Sequence, residues 1–274
     1  MSAPKPPNRP SFPARLDQHK PSFLTKRSQT TDANKQVPRV AMEAAKGFSD
    51  SKFFINQDRS TLNHEALRLA MVRKLQHQGI HHEAVLRAMR DTERHRFIDA
   101  GWANQSYEDT SLPIGYEQTI SKPSVVARMI ELLLHDRPTP IGRVLDIGTG
   151  CGYQAAVLSR VCTEVYSIER LRALHDKARN LLRPFRLFNL HLLLGDGMVG
   201  YAAGAPYSGI IAAAGGTVIP TAWLEQLAVG GRLVAPVDVG GGRQSLVVID
   251  RTAQGLTQQV LELVQFVPLK SGIA

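Results

Sequence analysis

The sequence predicts an α/β fold: a doubly wound, mostly parallel sheet with an antiparallel C-terminal hairpin, preceded by N-terminal helices. Three observations carry this expectation. From position 143 onward, short apolar runs alternate with segments of helical period. A turn with glycines at 148, 150 and 152 follows directly after the first of those runs. Near the end, two strand-like runs are separated only by a short polar loop, which leaves no room for a helical crossover.

Taken in order, the periodic pattern begins near position 62. Residues 62–78 place Leu67, Met71, Val72 and Leu75 at helical spacing, and Gly79 ends that helix. Residues 82–90 repeat the pattern with Val85, Leu86 and Met89. The stretch 109–123 lacks a period and reads as a loop. Residues 124–134 form an apolar helix through Val125, Val126, Met129, Ile130 and Leu133, after which Pro138 and Pro140 punctuate the chain. Strands are expected at 143–147, 165–168, 190–194, 209–213 and 231–236, with helices at 153–161, 171–182 and 223–227. Runs 245–250 and 258–267 supply the hairpin. This divides the chain into an extension at 1–61, a helical part at 62–140 and a sheet core at 141–274.

Composition bounds the function classes. In 274 residues, 43% hydrophobic and 21% charged content supports a buried core, and two cysteines are too few for a disulfide scaffold. No apolar run reaches the roughly 18 residues of a membrane span. The net charge of +9 is unevenly spread, because residues 1–62 hold eleven Lys/Arg against five Asp/Glu. That stretch also carries Pro4, Pro6, Pro7, Pro10, Pro13 and Pro21 and reads as a disordered, solvated tail. No apolar core follows its first basic residues, so it is not a secretory leader. Nucleic acid is not expected as a partner, and the only route to it is this basic tail. Cys151 and Cys162 lack CxxC spacing, and neighbouring His81 and His82 point different ways on a helix, so no metal site is expected. Reduced thiols agree with a cytoplasmic location.

The chemical signal is the run Val144-Leu145-Asp146-Ile147-Gly148-Thr149-Gly150-Cys151-Gly152-Tyr153. Missing side chains let a ligand approach the backbone, and the following helix offers free N–H groups. Glu169 ends the second strand and Asp196 follows the third, so both join the glycine turn at the carboxyl ends of parallel strands. A carboxylate at the end of the second strand can accept from both ribose hydroxyls. Tyr153 stands where a dinucleotide site would have its third glycine, and no Gly-Lys-Ser/Thr is present to hold a triphosphate. An adenosyl ligand of modest charge fits this pattern best.

With Glu169-Arg170 and Gly195-Asp196-Gly197, the turn resembles the motifs of class I S-adenosylmethionine-dependent methyltransferases, whose fold is Rossmann-like. Further segments narrow the match: Leu112-Pro113-Ile114-Gly115 with Gln118-Thr119-Ile120-Ser121-Lys122-Pro123, Arg94-His95-Arg96-Phe97, Gly230-Gly231-Arg232-Leu233-Val234, and Phe266-Val267-Pro268-Leu269. Over residues 62–270 the chain closely resembles protein-L-isoaspartate O-methyltransferases. The resemblance implies transfer of the sulfonium methyl group to the free carboxylate of isoaspartyl residues in damaged proteins and peptides. The ester then closes to a succinimide, part of which hydrolyses to aspartate. An ionised carboxylate needs no general base, so alignment dominates.

By the same resemblance Ser121 is catalytic, and Asp146, Gly148, Thr149, Gly150, Gly152, Glu169, Asp196 and Gly197 bind S-adenosyl-L-methionine, with no metal. From residue type alone, Ser121 could equally cap the helix that follows. Two departures stand out: Ser208 replaces an aspartate, and Gly215-Gly216 replaces a proline-containing stretch, which should loosen that loop. Two alternatives remain open at this point. One is a class I methyltransferase with another acceptor; the other is an inactive adenosylmethionine-binding protein directed by its basic tail.

Overall fold

The computed structural model describes residues 51–274. The reading of 1–50 as a solvated tail lies outside the described residues. Helix α1 runs over Ser51–His77, so it begins ahead of the helix start expected at position 62. Met71 and Leu75 anchor α1 in the core.

Helix α2 (Glu83–Asp91) buries Ala84, Val85, Leu86, Ala88 and Met89. Its entry is fixed from a distance, because Glu131 Oε1 accepts from the His81 and His82 amides at 2.7 and 2.9 Å. The expected loop 109–123 instead contains a small antiparallel hairpin, β1 (Leu112–Gly115) and β2 (Gln118–Ile120). Leu112, Ile114 and Ile120 are its buried anchors. Its turn residues Tyr116 and Glu117 both have positive φ, 55° and 57°, a turn usually signalled by Asn-Gly. Two such short strands, without that signal, leave no legible period. Helix α3 (Pro123–Leu134) follows, with proline at its first position.

From there strands and helices alternate as predicted: β3 (Ile141–Ile147), α4 (Tyr153–Leu158), β4 (Cys162–Glu169), α5 (Arg172–Leu182), β5 (Leu190–Leu194), β6 (Tyr207–Ala212) and α6 (Thr221–Gln226). Long strands β7 (Leu227–Gly240), β8 (Arg243–Thr252) and β9 (Gly255–Val264) complete one sheet in the order β5-β4-β3-β6-β7-β8-β9. The first five strands of that order are parallel, and β8 and β9 add antiparallel edges.

Both faces of the sheet are covered. Val144, Ile211 and Val234 pack into one core, while their sequence neighbours Leu145, Ile210 and Leu233 pack into the other with Trp223. Cys151 and Cys162 are free and buried, and burial raises both thiol pKa values. From β3 the chain turns to β4 on one side, and from β5 it crosses to β6 on the other. The strand order therefore reverses at β3, where doubly wound sheets open a ligand crevice. Among the described residues, no helix is long and apolar enough to cross a membrane.

Candidate active site

At the carboxyl end of β3 the chain makes a tight glycine turn. Gly148, Gly150 and Gly152 have φ of 92°, 55° and 91°, a region that strains any residue with a Cβ. At Gly152 a side chain would also collide with Leu182 Cδ1 at 2.6 Å. The turn is pinned to β4, because the Gly148 and Thr149 amides both donate to Ile168 O, at 2.9 and 3.1 Å.

Beneath the turn lies Asp146, which is fully buried. Its Oδ1 accepts from Gln154 Nε2 at 2.8 Å and its Oδ2 from Ser167 Oγ at 2.7 Å; Ser167 Oγ in turn lies 2.7 Å from Thr149 Oγ1. Burial pushes this carboxyl up to about 6 against the lowering effect of those two bonds. Asp146 does not line the cavity, so its place in the fold is behind the turn, organising it.

Glu169, at the end of β4, is 5% exposed. Its Oε2 accepts from the Gly150 amide at 2.8 Å and its Oε1 from the Leu171 amide at 2.9 Å. Each oxygen keeps a lone pair for a further donor. Asp196, after β5, caps the short turn Gly197–Val199 through Met198 N at 2.8 Å, and its other oxygen accepts from Gly272 N at 2.6 Å. Gly197 reaches the cavity wall, where a Cβ would meet Ile147 Cγ2 at 2.7 Å, whereas Asp196 is not in the wall.

The cavity has a volume of about 550 Å³. Gly148, Thr149, Gly150, Glu169 and Gly197 line one side, and Ser121 lies on the wall formed with the β1–β2 hairpin. Ser121 does not cap α3: the N-cap is Lys122, without a side-chain bond, and Asp109 Oδ1 accepts from Ser124 N at 2.9 Å. Burial would raise the Asp109 pKa, but its bonds from Ser124 and Gln78 hold it below the usual range. The capping demand at this helix is thus met from another loop. Lys177 Nζ ties α5 to the hairpin by donating to Ile114 O at 2.9 Å.

The C-terminal segment supplies a further wall of the cavity. Val267, Pro268, Leu269 and Lys270 line it, contacts that the motif Phe266-Val267-Pro268-Leu269 does not disclose in sequence. Gly215, expected to loosen its loop, instead ties this segment down. Its amide donates to Val267 O at 2.9 Å and its carbonyl accepts from Leu269 N at 2.7 Å. A proline there would lack the first bond. Gln244 occupies the space beside Gly215 and accepts from Phe266 N at 2.7 Å. Among the described residues, no cluster of three His, Cys, Asp or Glu side chains is arranged to hold a metal ion.

The sequence that builds this site matches a known family. The family model for protein-L-isoaspartate(D-aspartate) O-methyltransferase matches residues 66–274. The chain belongs to this family. A protein-L-isoaspartate O-methyltransferase from Methylibium petroleiphilum is 51% identical over 266 residues, 96% of each chain. Another from Leptothrix cholodnii is 58% identical over 215 residues, covering 77% of this chain and 76% of the relative. The first alignment extends into the N-terminal region, beyond the span of the resemblance read from motifs. Among solved structures, a protein-L-isoaspartate O-methyltransferase is similar at a TM-score of 0.68 and 27% identity, covering 75% of this chain and 67% of that one. A structure from Plasmodium falciparum in complex with S-adenosyl-L-homocysteine shares the fold at a TM-score of 0.64 and 22% identity, covering 76% of this chain and 98% of that one.

Proposed function

We propose that this chain repairs damaged proteins, moving a methyl group from S-adenosyl-L-methionine to the free carboxylate of L-isoaspartyl residues. The observation that carries this reading is one cavity whose walls hold the glycine turn with Glu169 on one side and Ser121 on the other. Family membership favours this acceptor over another and favours an active enzyme over an inactive binder.

The residues fit an adenosyl ligand. A cavity of about 550 Å³ is in the size class of small-molecule sites. The Gly148 and Gly150 backbone is open to close approach, and Glu169 retains acceptor capacity toward ribose hydroxyls. When bound, the sulfonium supplies an electrophilic methyl group. Gly148, Thr149, Gly150 and Gly197 line its place, Gly152 and Asp146 hold the turn in shape, and Asp196 ties the neighbouring loop. Ser121 donates its hydroxyl hydrogen to the acceptor and fixes its direction of approach. An ionised acceptor carboxylate requires no proton removal, so these residues orient and exclude water rather than act as bases. Orientation of this kind is worth on the order of 7–11 kcal/mol. We place the activity in the cytoplasm, a reading supported by the two free thiols.

The test is incubation with S-adenosylmethionine labelled in its methyl group and an isoaspartyl peptide. Base-labile methyl ester, released as methanol, is the expected product. Base-stable label, or none, would overturn the assignment.

A further inference from the structure

A second cavity, of about 630 Å³, opens beside the first. The two share Thr119, Ser121, Ala213 and Val267, so Ser121 stands at their junction. The glycine turn and Glu169 line only the first cavity, while Val125, Leu263 and Phe266 line only the second. If the adenosyl ligand fills the first, an acceptor chain reaching Ser121 must lie in the second. Apolar walls there suit an extended peptide.

One charged side chain lines that second cavity. It is Lys122, exposed and next to Ser121 in sequence, and the cavity has no carboxylate in its lining. Lys122 is the N-cap residue of α3, with the extended backbone of φ −52° and ψ 143°, so its position is set by the helix start. Lys122 lines the second cavity and not the first, which sets it beside the acceptor's path and away from the glycine turn.

Resting on the acceptor reading above, we propose that Lys122 determines specificity, selecting isoaspartyl segments that carry an acidic residue next to the damaged one and disfavouring those flanked by lysine. The site is solvent-exposed, so the effect has the size of an exposed ion pair and weakens as salt rises.

The experiment uses the full chain and three isoaspartyl peptides differing only in the flanking residues: glutamate, glutamine or lysine. In the native protein kcat/KM for the glutamate peptide should exceed that for the lysine peptide by about fivefold, mostly in KM. The ratio should fall to about one in K122Q and invert in K122E. Because each ratio is taken within one variant, a general loss of activity cancels. A ratio that stays the same in K122E overturns the role of Lys122 and leaves the acceptor reading intact. If the native protein methylates none of the three peptides while binding S-adenosylmethionine, the acceptor reading fails and this inference falls with it.

Discussion

Glu169 Oε2 accepts a hydrogen bond from the Gly150 amide at 2.8 Å, joining the end of β4 to the turn that follows β3. The same carboxylate that can meet a ribose thus also shapes the loop facing it. Glu169→Ala should raise the Kd for S-adenosylmethionine by about tenfold or more, since hydrogen bonds to charged groups contribute about 1.5–3 kcal/mol. Glu169→Gln keeps the shape and one acceptor and should lose less. Isothermal titration calorimetry distinguishes them, and native affinity in the alanine variant removes Glu169 from the ligand site.

Ser121→Ala should lower kcat/KM for an isoaspartyl peptide by about tenfold to a hundredfold, the range that loss of alignment can cost. The affinity for S-adenosylmethionine should stay as it is. Steady-state kinetics beside a direct binding measurement checks this split, and an unchanged kcat/KM excludes the serine from the mechanism.

Asp146→Ala leaves Gln154 Nε2 and Ser167 Oγ without their buried acceptor. Such orphaned groups cost about 1–3 kcal/mol. Urea unfolding should show an earlier midpoint with the same m-value. A midpoint matching the native one would mean that water replaces the carboxylate.

A pH effect follows from His95, stacked on His64 at 4.1 Å and hydrogen-bonded through Nδ1 to Tyr107 Oη at 2.7 Å. Burial first, then the His64, Arg68 and Arg96 charges, hold its pKa at about 4 against the ordinary 6.5, with Glu93 opposing. Between those values the unfolded chain binds a proton that the folded one refuses, so this contribution to stability is lost as pH falls through the window. Asp146 acts with the opposite sign there: its pKa is raised from 3.8 to about 6, so it weakens the fold as pH rises. Comparing the native chain with His95→Gln isolates the histidine. Thermal unfolding should show a smaller loss between neutral pH and pH about 4.5 in the variant. Equal losses would exclude His95.

Gly215→Pro removes the amide that donates to Val267 O and adds a Cβ where Gln244 Nε2 would lie 2.5 Å away. The Leu269 amide should exchange its hydrogen faster and the affinity for S-adenosylmethionine should fall. Native exchange at Leu269 would show that the segment is held elsewhere.

Much of this fold was legible because its rules are local. Alternating apolar runs gave the parallel strands, and the strict glycine spacing located the crevice. The β1–β2 hairpin escaped because Tyr116 and Glu117 make its turn without the usual residues. Asp109 escaped as the cap of α3 because it lies 15 residues before the amide it serves. Ser121, the nearer candidate, fitted the local rule and lost to a tertiary contact. The motif at 266–269 was legible, but the contacts of segment 266–272 were not, because its hydrogen-bond partners lie in loops far away in sequence.

That segment bonds to Gly215 after β6, to Asp196 after β5 and to the Arg170 side chain after β4, the last by Arg170 Nε to Gly272 O at 3.0 Å. Three loops that never touch in sequence therefore share one tether. Substitutions at Asp196 and Gly215 should be epistatic, their combined cost departing from the sum of the two. Drift at any one of these loops is constrained by the other two, through backbone amides and carbonyls of 267–272 that carry no side-chain signature of their own.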